Sequence, residues 1–195
     1  GYGWPEYEVY NNLFYGGTLR LERYAAGGAW TLRDNAFESV ALTNANAAVV
    51  NDHNGYLGLG QAQLPGSGGS DQVLSSFIYT NLAVWPSWRF YQVSTDLVEK
   101  GSRNATNAGL YHFTTQISQV KETNSAVDIG FHYVAVDTAT GLPLDTDGDG
   151  VVDHSEDRDG DGQGVTDSGE SDWQSPADLG LRVWLLRPAA HSPTP

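Results

Sequence analysis

The chain has 195 residues, with 24 carboxylates against ten Lys and Arg, a formal charge of −14, no cysteine and no methionine. This balance excludes a binder of nucleic-acid backbone, which needs clustered cations, and the missing cysteines exclude a disulfide framework and thiol chemistry. No apolar run approaches the roughly 18 residues of a membrane span, and the start at Gly1 reads as that of a piece processed or excised from a longer precursor.

Twenty-three glycines and 11% aromatics favour β-structure with many turns, and helical periodicity is hard to find. Alternating stretches predict strands at Thr18–Arg23, Ala29–Arg33, Val73–Tyr79 and Leu110–Thr114. A repeat runs through the same region. Asn12-Leu13-Phe14, Asn35-Ala36-Phe37 and Asn54-Gly55-Tyr56 recur after 23 and 19 residues, the length of one coil in a parallel β-helix. There, corner asparagines and inward aromatics stack on those of the next coil.

Farther on, Ser94-Thr95-Asp96-Leu97-Val98-Glu99-Lys100-Gly101-Ser102 precedes Val127-Asp128-Ile129-Gly130-Phe131-His132-Tyr133. The pair resembles a signature that closes many secreted bacterial right-handed β-helix proteins of the pectate-lyase-like superfamily. Glu99 stands for the usual Asp of its first element and His132 for the usual Glu of its second. Over roughly residues 8–135 the resemblance implies the end of such a helix.

Between Asp145 and Glu170 lie two acidic, glycine-punctuated loops. The first reads Asp145-x-Asp147-x-Asp149-Gly150-Val151-x-Asp153-x-x-Glu156, the second Asp159-x-Asp161-x-Gln163-Gly164-Val165-x-Asp167-x-x-Glu170. Each fits the twelve-position calcium loop: side-chain oxygens at positions 1, 3, 5, 9 and 12, a backbone carbonyl at 7 and glycine at 6 for the sharp turn. Residues 145–172 carry eleven carboxylates and one arginine, a density that repels itself without a hard cation between the charges. Two Ca²⁺ ions are therefore expected, with Asp157 between the loops coupling them. No helices are expected to flank the loops, so they look like the structural calcium repeats of thrombospondin type 3 stretches rather than a helix–loop–helix sensor.

After the loops, Asp172–Pro176 reads as a turn, Leu181–Arg187 as a strand that must pair with something, and Pro188–Pro195 as an extended tail. The expected fold is all-β: a short right-handed parallel β-helix over 1–137, tandem calcium loops over 138–175, and a terminal strand and tail over 176–195. The expected function is that of a calcium-stabilised extracellular or cell-surface structural protein, self-associating into a filament or surface layer through the unpartnered strand. A polysaccharide-binding or adhesin module, presenting some of Tyr2, Trp4, Tyr7, Tyr10, Phe14, Tyr15, Trp85, Trp88, Phe90 and Tyr91, is the first alternative, although filling the β-helix core and covering its end suits these rings better. A fragment of a polysaccharide lyase, using Asp34 with Arg33 or Asp52 with His53, is the second; turn and strand-end roles suit those residues better, and no catalytic constellation is predicted. Asn104-Ala105-Thr106 is a glycosylation sequon.

Overall fold

The structure, a computed structural model, describes residues 6–22, 28–66, 68–80, 89–164 and 169–178. Among them the chain is β-rich: thirteen short strands and two single-turn helices. Strands β1 (Tyr7–Tyr10), β2 (Leu13–Tyr15) and β3 (Thr18–Glu22) make one pass. Strands β4 (Ala29–Arg33), β5 (Ala36–Glu38) and β6 (Ala41–Ala45) make the next, and β7 (Ala48–Asp52) and β8 (Gly55–Leu57) begin a third. Each pass lies parallel to and in register with the previous one, giving sheets β1-β4-β7, β2-β5-β8-β9 and β3-β6, where β9 is Gln72–Leu74.

The Asn-x-aromatic repeat is what sets this register. Phe14 stacks on Phe37 with ring centroids 5.1 Å apart, and Phe37 on Tyr56 at 5.5 Å. Beside the rings runs an asparagine ladder. Asn35 Oδ1 accepts from the Asn12 backbone N–H (3.0 Å), Asn54 Oδ1 accepts from the Asn35 N–H (3.1 Å), and Asp71 Oδ1 accepts from the Asn54 N–H (2.7 Å). Side-chain amides also close the corners, Asn35 Nδ2 donating to Val9 O and Arg33 O and Asn54 Nδ2 to Leu32 O. The residue before each asparagine, Asn11, Asp34 or His53, has φ between 54° and 60°, and Asn, Asp and His are the non-glycine residues that tolerate this left-handed turn.

Sheet β2-β5-β8-β9 is covered on both faces. Its aromatics point into one core with Leu21, Leu32, Val40 and Leu64, and its other face packs Ala36 and Leu57 against Leu97 and Ile129. Gly55 leaves room for this cover, since a Cβ there would sit 3.2 Å from Leu97 and 3.3 Å from Ile129. The expected strand over Val73–Tyr79 is two, β9 and β10 (Tyr79–Thr80), with a bend between them; β10 pairs antiparallel with β11 (Tyr91–Gln92). Leu110–Thr114 shortens to β12 (Phe113–Thr114), which pairs with β13 (Tyr133–Val134), because helix α1 (Ala105–Ala108) ends at Gly109 just before it. Leu181–Arg187 and the tail lie outside the described residues.

The two signature segments meet. Ile129 N–H donates to Leu97 O, Gly101 N–H to Val127 O, and Asp128 Oδ1 accepts from Glu99 N–H at 2.8 Å. Together they dock on the ladder corner: Asp34, fully buried, accepts at Oδ1 from Ser102 N–H (2.6 Å) and at Oδ2 from Ser102 Oγ (2.9 Å). Asp34 is thus committed to the fold and is no surface base. His132 finds a carboxylate elsewhere in the chain, its Nε2 lying 2.7 Å from Glu122 Oε1. Its Nδ1 faces Gly130 O at 3.1 Å and must carry a hydrogen. Burial holds His132 below its ordinary value and pushes Glu122 up to about 7, so the shared proton rests on Glu122 and is donated to Nε2.

A folded-state value raised above the ordinary 4.5 means that Glu122 adds stability at low pH and loses it as pH rises from 4.5 towards about 7. Gln reproduces both the donor to His132 and the acceptor for Asp128 N–H. Glu122→Gln should therefore match wild type in urea melts at pH 5 and exceed it at pH 8, by on the order of 1–3 kcal/mol; equal stability at pH 8 would refute the shared-proton assignment.

Candidate metal centre

Both acidic loops are built by backbone amides closing on carboxylates. In the first, Asp145 accepts from Gly148 N–H at Oδ1 (2.8 Å) and Gly150 N–H at Oδ2 (3.0 Å), Asp147 from Asp149 N–H (3.1 Å), and Asp149 from Val151 N–H (2.7 Å). The second repeats this pattern twelve residues later. Asp157 accepts from Gly160 N–H at Oδ1 (2.9 Å) and Gly162 N–H at Oδ2 (2.7 Å), Asp159 from Asp161 N–H (3.1 Å), and Asp161 from Gln163 N–H (2.7 Å). Gly148, Gly150, Gly160 and Gly162 all have φ between 70° and 96°, a backbone open to glycine at little cost.

The equivalence moves the start of the second loop from Asp159 to Asp157. The segment Asp-x-Asp-Gly-Asp-Gly occurs at 145 and again at 157, and the second copy carries two extra residues, Gln163 and Gly164, before Val165-Thr166-Asp167-x-x-Glu170. Position 5 of the second loop thus falls on Asp161. The Gln163 amide turns back to donate to Asp161, and Asp157, expected as a bridge between loops, is the first residue of the second. Val165 and Asp167 lie outside the described residues.

Two carboxylate clusters result. Oxygens of Asp145, Asp147 and Asp149 lie within 4.8 Å of one another, as do those of Asp157, Asp159 and Glu170, and either group could hold a metal ion. Asp147 Oδ2, Asp149 Oδ2, Glu156 Oε2 and Glu170 Oε2 are shielded from solvent and accept no hydrogen bond. Desolvation raises Asp147 and Glu156, each further raised by its neighbouring carboxylates. Asp157 is pushed to about 6, by burial first and then by the charges of Glu170 and Asp159. Uncompensated anionic oxygens at this spacing are what a hard cation relieves.

One expected ligand serves from behind instead. Asp153 is buried at the start of helix α2 (Asp153–Glu156), accepting from Thr146 N–H (2.6 Å), Thr146 Oγ1 (2.7 Å) and Lys121 Nζ (3.3 Å). Helix α2 is itself a departure from the helix-free expectation, although one turn long. Glu156, 1% exposed, accepts from Ser171 Oγ at Oε1 (2.9 Å) and keeps Oε2 unpartnered.

The second loop is fastened to the body by groups that the sequence reading passed over. His112 Nε2 lies 2.9 Å from Asp157 Oδ2, and Lys121 Nζ lies 3.4 Å from His112 Nδ1. Since an ammonium only donates, Nδ1 accepts and Nε2–H donates to Asp157. Burial, with the Lys121 charge adding to it, lowers His112 to about 4 and keeps it neutral. Trp173 closes the far side, donating from Nε1 to Gly162 O (3.3 Å) and packing edge-on to His112 at 4.9 Å, with Lys121 Nζ 4.6 Å above its ring. Tyr111 N–H donates to Gly160 O (3.0 Å), and Gly162 lies so close to the Tyr111 ring that a Cβ would come within 2.2 Å of it.

The remaining candidates have local roles. Asn104 caps helix α1, its Oδ1 accepting from Thr106 N–H and Oγ1 and its Nδ2 donating to Asn124 O. His53 Nδ1 pairs with Asp52 Oδ2 at 3.0 Å in a half-exposed turn. Trp85 and Trp88 lie outside the described residues, and among those described no helix is long and apolar enough to cross a membrane. No protein-family model, curated protein or solved structure matches the chain.

Proposed function

We propose that this protein is a calcium-stabilised extracellular structural module, a short right-handed parallel β-helix whose closing segment is clamped by two calcium loops. The observation that carries the reading is the paired one: identical amide-to-carboxylate patterns offset by twelve residues, each beside clustered and unpartnered oxygens. Asp145, Asp147, Asp149, Glu156 and the Val151 carbonyl would hold one ion. Asp157, Asp159, Asp161, Glu170 and the Gln163 carbonyl would hold the other. Several carboxylates with a backbone carbonyl suit Ca²⁺, whereas Mg²⁺ demands a tighter octahedron and retains water.

Calcium would supply charge neutralisation. Around it the chain does the structural work: His112 holds Asp157 in place behind the ion, Ser171 ties residues 169–175 to Glu156, and Trp173 packs them onto His112 and Lys121. In-register passes and the ladder support the β-helix reading. The extracellular setting is part of the proposal, since calcium loops of extracellular modules bind at about 0.1–1 mM, a concentration found outside cells rather than in the cytosol. The self-association expected from Leu181–Arg187 rests on residues outside the described set, and the reading stops short of it.

Isothermal titration should register two Ca²⁺ per chain, with magnesium in excess failing to displace them. Melting in calcium should occur above melting in chelator by several degrees. Equal melting temperatures in the two buffers would refute the reading.

A further inference from the structure

On the outer face of sheet β2-β5-β8-β9, the cover that buries Leu57 stops short of Tyr15 and Glu38, neighbours in register on β2 and β5. Hairpin β10–β11 stands opposite, and a groove of about 330 Å³ opens between them, lined by Tyr15, Glu38, Phe77, Tyr79, Arg89 and Phe90 among others. That is near the lower bound of ligand sites, about 300 Å³. Its walls are aromatic: Tyr15 and Phe90 lie 5.0 Å apart, Phe90 and Tyr79 5.8 Å, and Tyr79 and Phe77 5.0 Å. Tyr15 is 58% exposed, a large ring left facing solvent.

Two polar atoms in this groove are shielded from solvent and lack a hydrogen-bond partner: Glu38 Oε2 and Tyr79 Oη. Such groups cost stability unless something pairs with them. Desolvation raises the Glu38 carboxyl accordingly. The missing partner must donate to a carboxylate, engage a phenol, and lay an apolar face on aromatic rings.

Charge narrows the class. The Glu38 carboxylate disfavours an anion, and the Arg89 guanidinium on the same wall, held by Tyr91 Oη and the Tyr133 ring, disfavours a cation. A neutral ring bearing hydroxyls on its rim and C–H bonds on its faces meets every requirement, its C–H face resting on the negative faces of Tyr15 and Phe90. We propose that this groove binds a neutral pyranoside, with Tyr15 and Phe90 as platform and Glu38 and Tyr79 as hydroxyl partners. The groove lies apart from the acidic loops, so its binding does not depend on calcium.

The test is calorimetric titration of the full chain with neutral glucan, mannan and galactan hexasaccharides, with polygalacturonate and choline as charged probes. At least one neutral saccharide should bind saturably, equally well in calcium and in chelator. Tyr15→Ala and Glu38→Gln should each weaken it about tenfold or more, a loss of roughly 1.4 kcal/mol. Tyr7→Ala, removing a half-exposed ring that stacks on Trp30 away from the groove, should leave it unchanged. Because Tyr15 is exposed, its variant should melt with wild type, and Glu38→Gln gives an independent reading. The proposal is overturned if no neutral saccharide saturates, if polygalacturonate or choline binds more tightly, or if Tyr7→Ala weakens binding as much as Tyr15→Ala. Calcium-dependent binding would also overturn it while leaving the metal assignment intact.

Discussion

Asp157→Asn should abolish one of the two calcium ions, whereas Gln163→Ala should leave both. The contrast tests where the second loop begins. With Asp157 first, position 5 is Asp161 and Gln163 supplies only backbone, its amide resting on Asp161. With Asp159 first, Gln163 would be a side-chain ligand and its loss would weaken the site. At calcium tenfold above the dissociation constant each site adds about 1.4 kcal/mol, so losing one should lower the melting temperature in calcium by roughly 3–6 °C for a chain of this size. Asp157→Asn should also cost stability in chelator, because with its one oxygen kept on Gly162 N–H and His112 Nε2–H the Asn amide nitrogen would face Gly160 N–H, donor against donor, where the carboxylate accepts. Calcium stoichiometry separates the two effects: Asp157→Asn still binding two ions, or Gln163→Ala binding one, would return the start to Asp159.

Asn35→Ala should be among the most damaging single changes in the body. It leaves Asn12 N–H without its acceptor and Val9 O and Arg33 O without their donor. Buried polar groups left unmade cost about 1–3 kcal/mol each, and partial relaxation should hold the total near 3–5 kcal/mol. Asn35→Asp keeps the acceptor but loses both donated bonds and buries a charge, so it should fall well below wild type too. Urea melts of the two variants beside Phe37→Leu, which shrinks a ring in the stack, measure the ladder against the core; a midpoint for Asn35→Ala within error of wild type would refute the ladder's role.

The repeat that governs this region is legible in sequence because it is local and exacting. An asparagine, a residue that tolerates positive φ before it, and an aromatic two places later specify corner, turn and core at once. Its fourth rung, Asp71-Gln72-Val73, escapes the pattern because Asp accepts as Asn does but Val replaces the ring. Strands as short as β10 to β13 are also illegible: two residues carry no periodicity, and their pairing depends on partners up to some twenty residues away.

The acidic loops illustrate a different limit. Composition announces them, and Asp145, Asp147 and Asp149 fall where the loop pattern puts them. The second loop offers two frames, because Glu170 is position 12 counted from Asp159 while the repeated Asp-x-Asp-Gly-Asp-Gly begins at Asp157; the hydrogen-bond pattern follows the repeat. His112, Lys121 and Trp173 leave no mark at all: what makes them matter is proximity across 32 to 61 residues of chain to Asp157, Asp153 and one another.

The ladder of asparagines has a direction. Every rung hands its N–H upward, from Asn12 to Asn35 to Asn54 and finally to Asp71. Asp71 turns its own N–H to Gly68 O at 3.3 Å instead of to a further side chain, so it acts as a chain terminator in the polymer sense. Aligned amide dipoles turn their positive ends towards its carboxylate, and the other oxygen, Oδ2, is left unpartnered. The stack therefore carries its own stop signal: a full further coil docked above Asp71 would find the Asp71 N–H already committed to Gly68 O.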